Sequence, residues 1–251
     1  MQGTTAQRWV QRWDKQQENN IPDREERFRV VIDVVGTVVG EVVGTGRANV
    51  VDLGCGPGSL SARLAAALPA VRVVGVDADP LLLGLGVANT GPRVKLVEAD
   101  LGDPSWPDRT GLAGKWDAAV SSTALHWLDP DTLAAVYRTL AERLRPGGVF
   151  VNADHMAPGT STLDSIAAAV RHARTTRVGS HLHEDWAQWW QALGEDADLA
   201  PLLDGRPATP IDHTENELTV GEHAKLLLAA GFSEAGPVWQ FGDDHVLVAV
   251  R

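Results

Sequence analysis

A short apolar stretch that runs into three alternating glycines constrains this chain more than any other feature of its sequence. The stretch is residues 50–60, Val-Val-Asp-Leu-Gly-Cys-Gly-Pro-Gly-Ser-Leu. A strand that breaks into a Gly-rich turn at the start of a helix is how open α/β sheets hold nucleotide-like ligands. The spacing is Gly-x-Gly-x-Gly, because Ser59 stands where the dinucleotide-binding fingerprint has its third glycine. The sequence therefore predicts a nucleotide-type turn that departs from the dinucleotide pattern at one position.

From residue 47 onward, strand patterns and helix patterns alternate along the chain. The predicted strands are residues 49–53, 71–76, 94–97, 116–121 and 147–152. Helical patterns separate them, and this alternation predicts a parallel sheet with right-handed crossovers. Near the end of the chain, Gly242-Asp243-Asp244 separates two further strand patterns, which is typical of a hairpin. The hairpin makes the predicted sheet mixed, with an antiparallel strand near one edge.

The same patterns divide the chain into a core and two helical caps. We expect residues 1–46 to form an N-terminal helical cap and residues 47–153 to form the ligand-binding core. Residues 154–218 show three short helical patterns and no clear strand, so they are predicted to be an insertion over the carboxyl edge of the sheet. Residues 219–251 open with a capping box and are predicted to complete the core sheet.

The composition bounds the class of protein. The 251 residues carry a formal net charge of -11, which argues against a nucleic acid partner because phosphate contacts need clustered Lys and Arg. The one cysteine, Cys55, fits a reducing compartment. The first 17 residues lack the apolar centre of a secretory signal, and no apolar run is long enough to span a bilayer. We therefore expect a cytoplasmic protein with no membrane partner.

Three acidic residues lie at or near the ends of the first three predicted strands. Asp77 comes 19 residues after Gly58, where a carboxylate can hold the vicinal hydroxyls of a ribose. Asp100 is placed to meet the amino group of an adenine. Asp52, at the mouth of the glycine turn, suits the ammonium group of an amino acid and would repel a pyrophosphate. Together they predict a nucleoside that carries an amino acid.

Several motifs follow one another in a fixed order along the chain. They are residues 52–58 (DLGCGPG), 73–77 (VVGVD), 98–100 (EAD), 116–121 (WDAAVS), 144–148 (LRPGG) and 229–232 (AAGF). This set resembles the ordered motifs of the class I S-adenosylmethionine-dependent methyltransferases. The stretch 122–128, Ser-Thr-Ala-Leu-His-Trp-Leu, is similar to the small-molecule branch of that class, which includes trans-aconitate methyltransferase-like and methyltransferase type 11–12-like proteins. The resemblance covers roughly residues 47–153 and 219–251.

The resemblance implies a Rossmann-like α/β fold, whose seven-stranded sheet is mostly parallel with the last strand antiparallel. It also implies S-adenosyl-L-methionine as the cofactor and a small molecule as the methyl acceptor. The residues implied in binding the cofactor are Gly54, Gly56 and Gly58 under the methionine part, Asp77 at the ribose, Ala78, Asp100 and Leu101 at the adenine, and Ser121 on the methionine side. Asp52 joins this set as the predicted partner of the ammonium group.

Methyl transfer from a sulfonium is a one-step displacement, so the protein needs no nucleophile of its own. Its contribution is to align the reacting atoms and to exclude water. A base is needed only where the acceptor must lose a proton, and a carboxylate acceptor needs none. His155 and His126 are the candidate catalytic residues, because they follow the fifth and fourth predicted strands and an imidazole titrates near ~6.5. For each of them, a pocket-lining role is the competing interpretation.

Aromatic and basic side chains recur in the two predicted caps. Trp9 and Trp13 would share one helix face, and a second stripe contains residues 186, 189, 190 and 193. Packing is the favoured interpretation of both, and a lid or an aromatic wall near a sulfonium is the alternative. Arginines at positions 171, 174 and 177 are interpreted as a solvated, salt-bridged face, with an anionic substrate as the alternative. No metal site is predicted.

Two other functions fit parts of the sequence. An NAD(P)-dependent reductase would use the strand, the glycines and Asp77, but it is disfavoured by Ser59 and gives Asp52 no purpose. A non-catalytic protein with a methyltransferase-like fold would bind a ligand or a partner without turnover. The acceptor atom is open among oxygen, nitrogen, carbon and sulfur, because the residues that select it lie in the caps.

Overall fold

The computed structural model describes residues 3–40, 47–199, 203 and 216–251 of the chain. In these residues seven strands form one sheet with helices on both faces. The strands are β1 Ala48–Leu53, β2 Val71–Asp77, β3 Val94–Glu98, β4 Trp116–Ser122, β5 Leu144–His155, β6 Glu234–Phe241 and β7 Asp244–Val250. The described α-helices are α1 Gly3–Gln17, α2 Arg24–Gly40, α3 Ser59–Ala67, α4 Pro80–Thr90, α5 Trp106–Arg109, α6 Pro130–Arg143, α7 Ser161–Val178, α8 Trp186–Gly194 and α9 Val220–Ala230.

The strand order is β3-β2-β1-β4-β5-β7-β6, and β7 runs in the direction opposite to the other six strands. This arrangement confirms the predicted mixed sheet and its hairpin. The order reverses between β1 and β4, whose carboxyl ends therefore flank a crevice. In open α/β sheets such a switch point is where ligands bind. The glycine turn leaves β1 at this crevice.

Each face of the sheet is covered by its own helices, because the buried strands carry apolar side chains on both sides. On one face, α2 and α3 pack over the core that includes Val50, Val73 and Val151. On the other face, α6 and α9 pack over Phe150 and its neighbours. Helix α2 therefore belongs to a layer of the core, although the sequence places it in the predicted N-terminal cap.

Helix α1 lies at the carboxyl edge and contacts both α4 and α8. Its two tryptophans interlock with those of α8 in edge-to-face contacts. The ring centroids of Trp9 and Trp189 are 5.7 Å apart, and those of Trp13 are 5.0 Å from Trp189 and 5.4 Å from Trp186. Aromatic pairs of this geometry contribute about 0.5–1.5 kcal/mol each beyond their buried area. The two predicted aromatic stripes thus pack against each other.

The helical insertion is anchored to the hairpin as well as to α1. The backbone of Gly242 approaches the carbonyl of Ala167 on α7, and Arg171 pairs with Asp243 at 2.8 Å. Arg174 forms a bidentate pair with Asp23. These pairs agree with the interpretation of the arginine stripe as salt-bridged. The last of the three helical patterns, predicted at residues 196–203, contains a short 3-10 helix at Ala197–Leu199, and residues 200–202 lie outside the described residues.

Local sequence signals predict the ends of helix α9 correctly and those of strand β5 incorrectly. Helix α9 begins after a capping box of Thr219 and Glu222 and ends at Gly231 in the left-handed conformation, as predicted. Strand β5 is longer than its prediction, because it begins at Leu144 and includes the Pro146–Gly147 turn signal. The register with β4 shifts between Trp116 and Ala118, which accommodates that turn.

Candidate functional site

The three glycines of the turn after β1 all have positive φ angles. The values are 63°, 53° and 76° at Gly54, Gly56 and Gly58, in the region that residues with a Cβ avoid. At Gly54 a side chain is also excluded by space, because a Cβ there would lie 2.3 Å from the Cβ of Ala124. The glycine turn therefore requires glycine for its conformation and for the contact between the ends of β1 and β4.

Asp77 holds the glycine turn from the end of β2. Its Oδ2 accepts the backbone N–H of Gly56 at 2.7 Å, and its Oδ1 accepts the N–H of Asp79 at 2.9 Å. The backbone N–H of Cys55 donates to the Val76 carbonyl at 3.0 Å. Burial raises the pKa of Asp77, and the hydrogen bonds from Asp79 and Gly56 oppose that rise. The carboxylate of Asp77, which is predicted to hold a ribose, thus also holds the glycine turn in place.

Asp52 is the most constrained acid of the site. It is 1% exposed and accepts a hydrogen bond from the Ser61 hydroxyl at 2.6 Å. No basic side chain in the described part of the chain forms an ion pair with it. Burial raises its pKa to about 7. A buried carboxyl without a counter-charge is suited to a cationic group of a ligand.

A small cavity of about 50 Å³ opens beside the glycine turn. Its walls come from the turn, from the end of β4 and from the two N-terminal helices. The lining residues are Trp13, Gln17, Arg24, Phe28, Asp52, Gly54, Cys55, Gly56, Ser59, Leu60, Ser122 and Thr123. The cavity therefore brings together Gly54, Gly56 and Asp52, which the sequence predicts as site residues. It also includes side chains of α1 and α2 that the sequence did not place in the site.

Arg24 also lines this cavity and brings a positive charge to it. It is 6% exposed, pairs with Asp14 at 2.7 Å and stacks 4.5 Å from the ring centre of Phe28. Its Nε has no hydrogen-bond partner among the described residues. Desolvation lowers the pKa of Arg24, and the Asp14 carboxylate opposes this. The cavity thus offers a carboxylate and a guanidinium, which is the complement of an α-amino acid.

The predicted adenine residues are at the carboxyl ends of β2 and β3. Ala78 and Asp100 are exposed, and Leu101 is half-buried. Asp100 accepts the N–H of Gly102 at 2.8 Å, in a tight turn. Leu101 also borders a wider groove of about 310 Å³ beside Trp106. These three residues lie along the same edge as Asp77, and none of them lines the small cavity.

Ser121 is turned away from the small cavity. It is fully buried, and its hydroxyl donates to the Leu53 carbonyl at 2.9 Å. The next two residues, Ser122 and Thr123, line the cavity instead. Thr123 has a φ of 57°, which is unusual for a β-branched residue and marks local strain. Ser121 and Ser122 are consecutive residues of β4, and consecutive side chains on a strand point to opposite faces of the sheet. For this reason Ser122 lines the cavity and Ser121 does not.

Arg27 fixes this strained turn from helix α2. It is fully buried, pairs with Asp244 at 2.6 Å, and donates to the hydroxyls of Ser122 and Thr123. Its Nε has no partner in the described residues. A buried pair of this kind strongly destabilises a protein when one member is removed. Arg27 therefore links the N-terminal helices, the end of β4 and the hairpin.

The two candidate histidines lie on opposite sides of β5. His126 shares one side with Asp154, whose Oδ1 is 2.8 Å from the His126 Nδ1. His155 follows Asp154 on the strand and faces Arg27 and Asp244. Burial lowers the pKa of His155, and its Nε2 has no hydrogen-bond partner in the described residues. The pKa of Asp154 is lowered overall. Burial acts to raise it, but the charge and hydrogen bond of His126 and the charges of His155 and Arg27 outweigh the effect of burial.

The described residues contain neither a metal-binding cluster nor a membrane-spanning helix. No group of three or more His, Cys, Asp or Glu residues is arranged to hold a metal ion in that part of the chain. No helix within the described ranges is long and apolar enough to cross a membrane.

Comparisons with known proteins agree with the fold and the glycine turn. Residues 50–148 match the family model described as a methyltransferase domain. The chain is 32% identical over 169 residues to a trans-aconitate 2-methyltransferase from Deinococcus radiodurans, covering 65% of the chain and 59% of that relative. A trans-aconitate 2-methyltransferase from Azoarcus sp. (strain BH72) is 36% identical over 137 residues, covering 55% and 48%. The chain thus spans about half the length of the curated relatives that it matches.

A solved structure extends the likeness over nearly the whole fold. Magnesium protoporphyrin IX methyltransferase from Synechocystis PCC 6803, with bound SAH, superposes with a TM-score of 0.56 at 21% identity, covering 96% of this chain and 94% of that one. The sheet order and the glycine turn define a Rossmann-like methyltransferase fold. Residues 50–148 of the chain are therefore similar to methyltransferase domains, and the fold is that of the class I S-adenosylmethionine-dependent methyltransferases.

The contact between Gly54 and Ala124 yields a prediction about the glycine turn. We expect Gly54→Ala to lower the free energy of unfolding by about 3 kcal/mol, because left-handed strain and overpacking add. Gly114→Ala is the matched control, since Gly114 has a φ of 78° and no atom within 4 Å of its Cβ position. It should cost only the strain, about 1–2 kcal/mol. Urea unfolding of both variants measures the difference.

A double variant separates the two causes. Gly54→Ala combined with Ala124→Gly removes the clash and keeps the strain, so it should recover the overpacking part of the loss. If the double variant is no more stable than Gly54→Ala alone, the close contact does not limit this position.

The raised pKa of Asp52 predicts how stability changes with pH. A carboxyl whose pKa rises from 3.8 to about 7 on folding binds more protons in the folded state, so the stability it contributes is complete below pH ~4 and is lost as pH rises through 7. We expect Asp52→Asn to be more stable than the wild type at pH 8, on the order of 2–4 kcal/mol. The two should converge near pH 4. Thermal unfolding from pH 4 to 8 tests this, with the exposed Asp100→Asn as control. A gain that is the same at every pH would contradict it.

Proposed function

We propose that this protein transfers a methyl group from S-adenosyl-L-methionine to a small-molecule acceptor. The observation that carries the proposal is the cavity that joins the glycine turn to an unpaired buried carboxyl, Asp52, and to the guanidinium of Arg24. A cradle of left-handed glycines fits close backbone approach by a ligand. The opposed charges fit an ammonium and a carboxylate on one amino acid. When bound, the donor supplies an electrophilic methyl group on a sulfonium.

The residues proposed to hold the donor follow its chemistry along the carboxyl edge. Asp52 binds the ammonium group, and Gly54, Gly56 and Gly58 lie under the methionine part. Asp77 binds the ribose, while Ala78, Asp100 and Leu101 contact the adenine. Ser121 is proposed to lie on the methionine side, and its hydroxyl donates to the Leu53 carbonyl. These roles follow the resemblance of the motifs to the methyltransferase class.

We propose a small anionic molecule as the acceptor. Two relatives bear the name trans-aconitate 2-methyltransferase, which indicates an anionic acceptor for those proteins. In this chain Arg27 and His155 lie near each other on the same side of β5, and each has a buried ring or guanidinium nitrogen without a partner in the described residues. Buried polar atoms of this kind are satisfied by a ligand or by ordered water. They support a hydrogen-bonding acceptor on this side.

Binding measurements test the donor and separate it from the reductase alternative. Calorimetry should show binding of S-adenosylhomocysteine (SAH) and none of NAD(H). Asp77→Ala should weaken SAH binding roughly tenfold to a hundredfold, the effect of losing hydrogen bonds to a charged group. Asp103→Ala, an exposed acid near the same edge, should bind as the wild type does. Binding of NAD(H) without SAH would overturn the proposal. Binding of SAH with no turnover of trans-aconitate or of a panel of small acids, phenols and amines would favour the non-catalytic alternative.

The role of His155 can be tested by comparing acceptors. Because burial lowers its pKa, His155 is neutral at pH 7 and suited to accept a proton. For an acceptor that must lose a proton, we expect His155→Ala to lower kcat about a hundredfold or more, with a smaller change in KM. For a carboxylate acceptor kcat should stay the same. His126→Ala is the comparison, because His126 is paired with Asp154 on the other side of β5. Equal effects of His155→Ala on kcat and KM would indicate a pocket-lining role.

A further inference from the structure

Trp13 is the side chain of the N-terminal helices that comes nearest to the middle of the glycine turn. The position that a Cβ would occupy on Gly56 lies 3.7 Å from a ring carbon of Trp13. Trp13 also lines the small cavity together with Asp52 and Gly54. An indole ring and a buried carboxyl therefore border one space, and both favour a positive charge.

The position of Gly56 relates Trp13 to a particular atom of the proposed donor. The N–H of Gly56 is bonded to Asp77, so Gly56 stands between the proposed methionine seat and the proposed ribose carboxylate. In S-adenosylmethionine the sulfur joins the amino acid to the ribose. The junction in the protein therefore corresponds to the junction in the ligand, where the positive charge lies.

We propose that Trp13 recognises the sulfonium through its ring face, and so makes the site prefer the charged methyl donor to its neutral product. This inference rests on the proposed function and adds a specificity-determining residue to it. The product of methyl transfer is a thioether without charge. A site that favours the cation binds the donor more tightly and releases the product more easily.

The tryptophan cluster holds the Trp13 ring in place before any ligand arrives. Trp189 and Trp186 contact it edge to face at 5.0 Å and 5.4 Å, and Trp13 is only 8% exposed. A ring fixed in advance loses little side-chain entropy when the ligand binds. Burial also strengthens a cation–π contact, because less water competes for the charge.

The cation of Arg24 at the same cavity does not oppose this arrangement. Its charge is paired with Asp14 at 2.7 Å and lies against Phe28. The amino acid of the proposed donor carries a carboxylate as well as two cations. Arg24 is suited to the carboxylate, while Asp52 and Trp13 are suited to the cations, so the three groups complement one ligand without conflict.

The test compares ligands that differ in charge. Calorimetry measures S-adenosylmethionine, SAH and sinefungin, which carries an ammonium in place of the sulfonium. In the wild type both cationic ligands should bind more tightly than SAH. In Trp13→Leu their affinity should fall about threefold to thirtyfold more than that of SAH, which corresponds to roughly 0.5–2 kcal/mol. In Trp13→Phe the loss of affinity for the cationic ligands relative to SAH should lie between those of the wild type and Trp13→Leu. Trp13→Phe also replaces Trp13→Leu if that variant does not fold.

Trp239→Leu is the matched control, because Trp239 lies on the edge strand β6, is half-buried and does not line the cavity. It should keep the wild-type ratio of affinities. Equal losses for all three ligands in the Trp13 variants, or wild-type binding of SAH as tight as that of the cations, would overturn the inference and leave the proposed function standing. If the wild type binds none of the three ligands, the proposed function fails and the inference with it.

Discussion

The hydrogen bond between the Gly56 N–H and the Asp77 carboxylate, at 2.7 Å, is the interaction on which the site depends. The three left-handed glycines of the turn have no side chains that could hold it, and their backbone freedom makes ordering costly. A carboxylate at the end of the neighbouring strand fixes it. Burial raises the pKa of that carboxyl, and the hydrogen bonds from the N–H groups of Asp79 and Gly56 oppose the rise. The same side chain is the proposed ribose ligand, which makes loop geometry and ligand recognition inseparable.

The absence of side chains at the three glycines has a second consequence, since it allows other elements to approach them closely. Ala124 packs directly on Gly54, and Trp13 on Gly56. The first contact fixes the spacing of β1 and β4, whose ends form the switch-point crevice. The second ties helix α1 to the turn, and the tryptophan cluster ties α1 to α8. Helices α1 and α8 are far apart in sequence, and both are thereby positioned by the glycine turn that connects β1 to α3.

The sequence predicts the parts of this site that local patterns encode. Strand ends followed by Gly or Asp are local features, so the glycine turn, Asp52 and Asp77 could be found without a structure. Trp13, Arg24 and Arg27 could not, because their place depends on how α1 and α2 dock on the core, and helical periodicity indicates a buried face without naming its partner. The arginines gave one usable signal, since charged residues on a face that is otherwise apolar suggest buried pairing. The opposite placement of His126 and His155 depends on which residues of β5 face each side, and the prediction began β5 at residue 147 and ended it at residue 152.

Charge is the remaining link between the fold and the proposed chemistry. The chain as a whole is acidic, at -11, but long-range repulsion is screened within about 8–10 Å at physiological salt. What a ligand meets is local. Burial raises the pKa of the Asp52 carboxyl to about 7, and the guanidinium of Arg24 pairs with Asp14 while its Nε has no partner among the described residues. An ionised carboxyl buried without a counter-charge is electrostatically unfavourable. A ligand with an ammonium group supplies that counter-charge, so part of its binding energy comes from the protein's own unfavourable electrostatics. Residues chosen for fold stability alone would remove the acid at position 52, and the buried acid therefore supports the proposal that the cavity binds a cation.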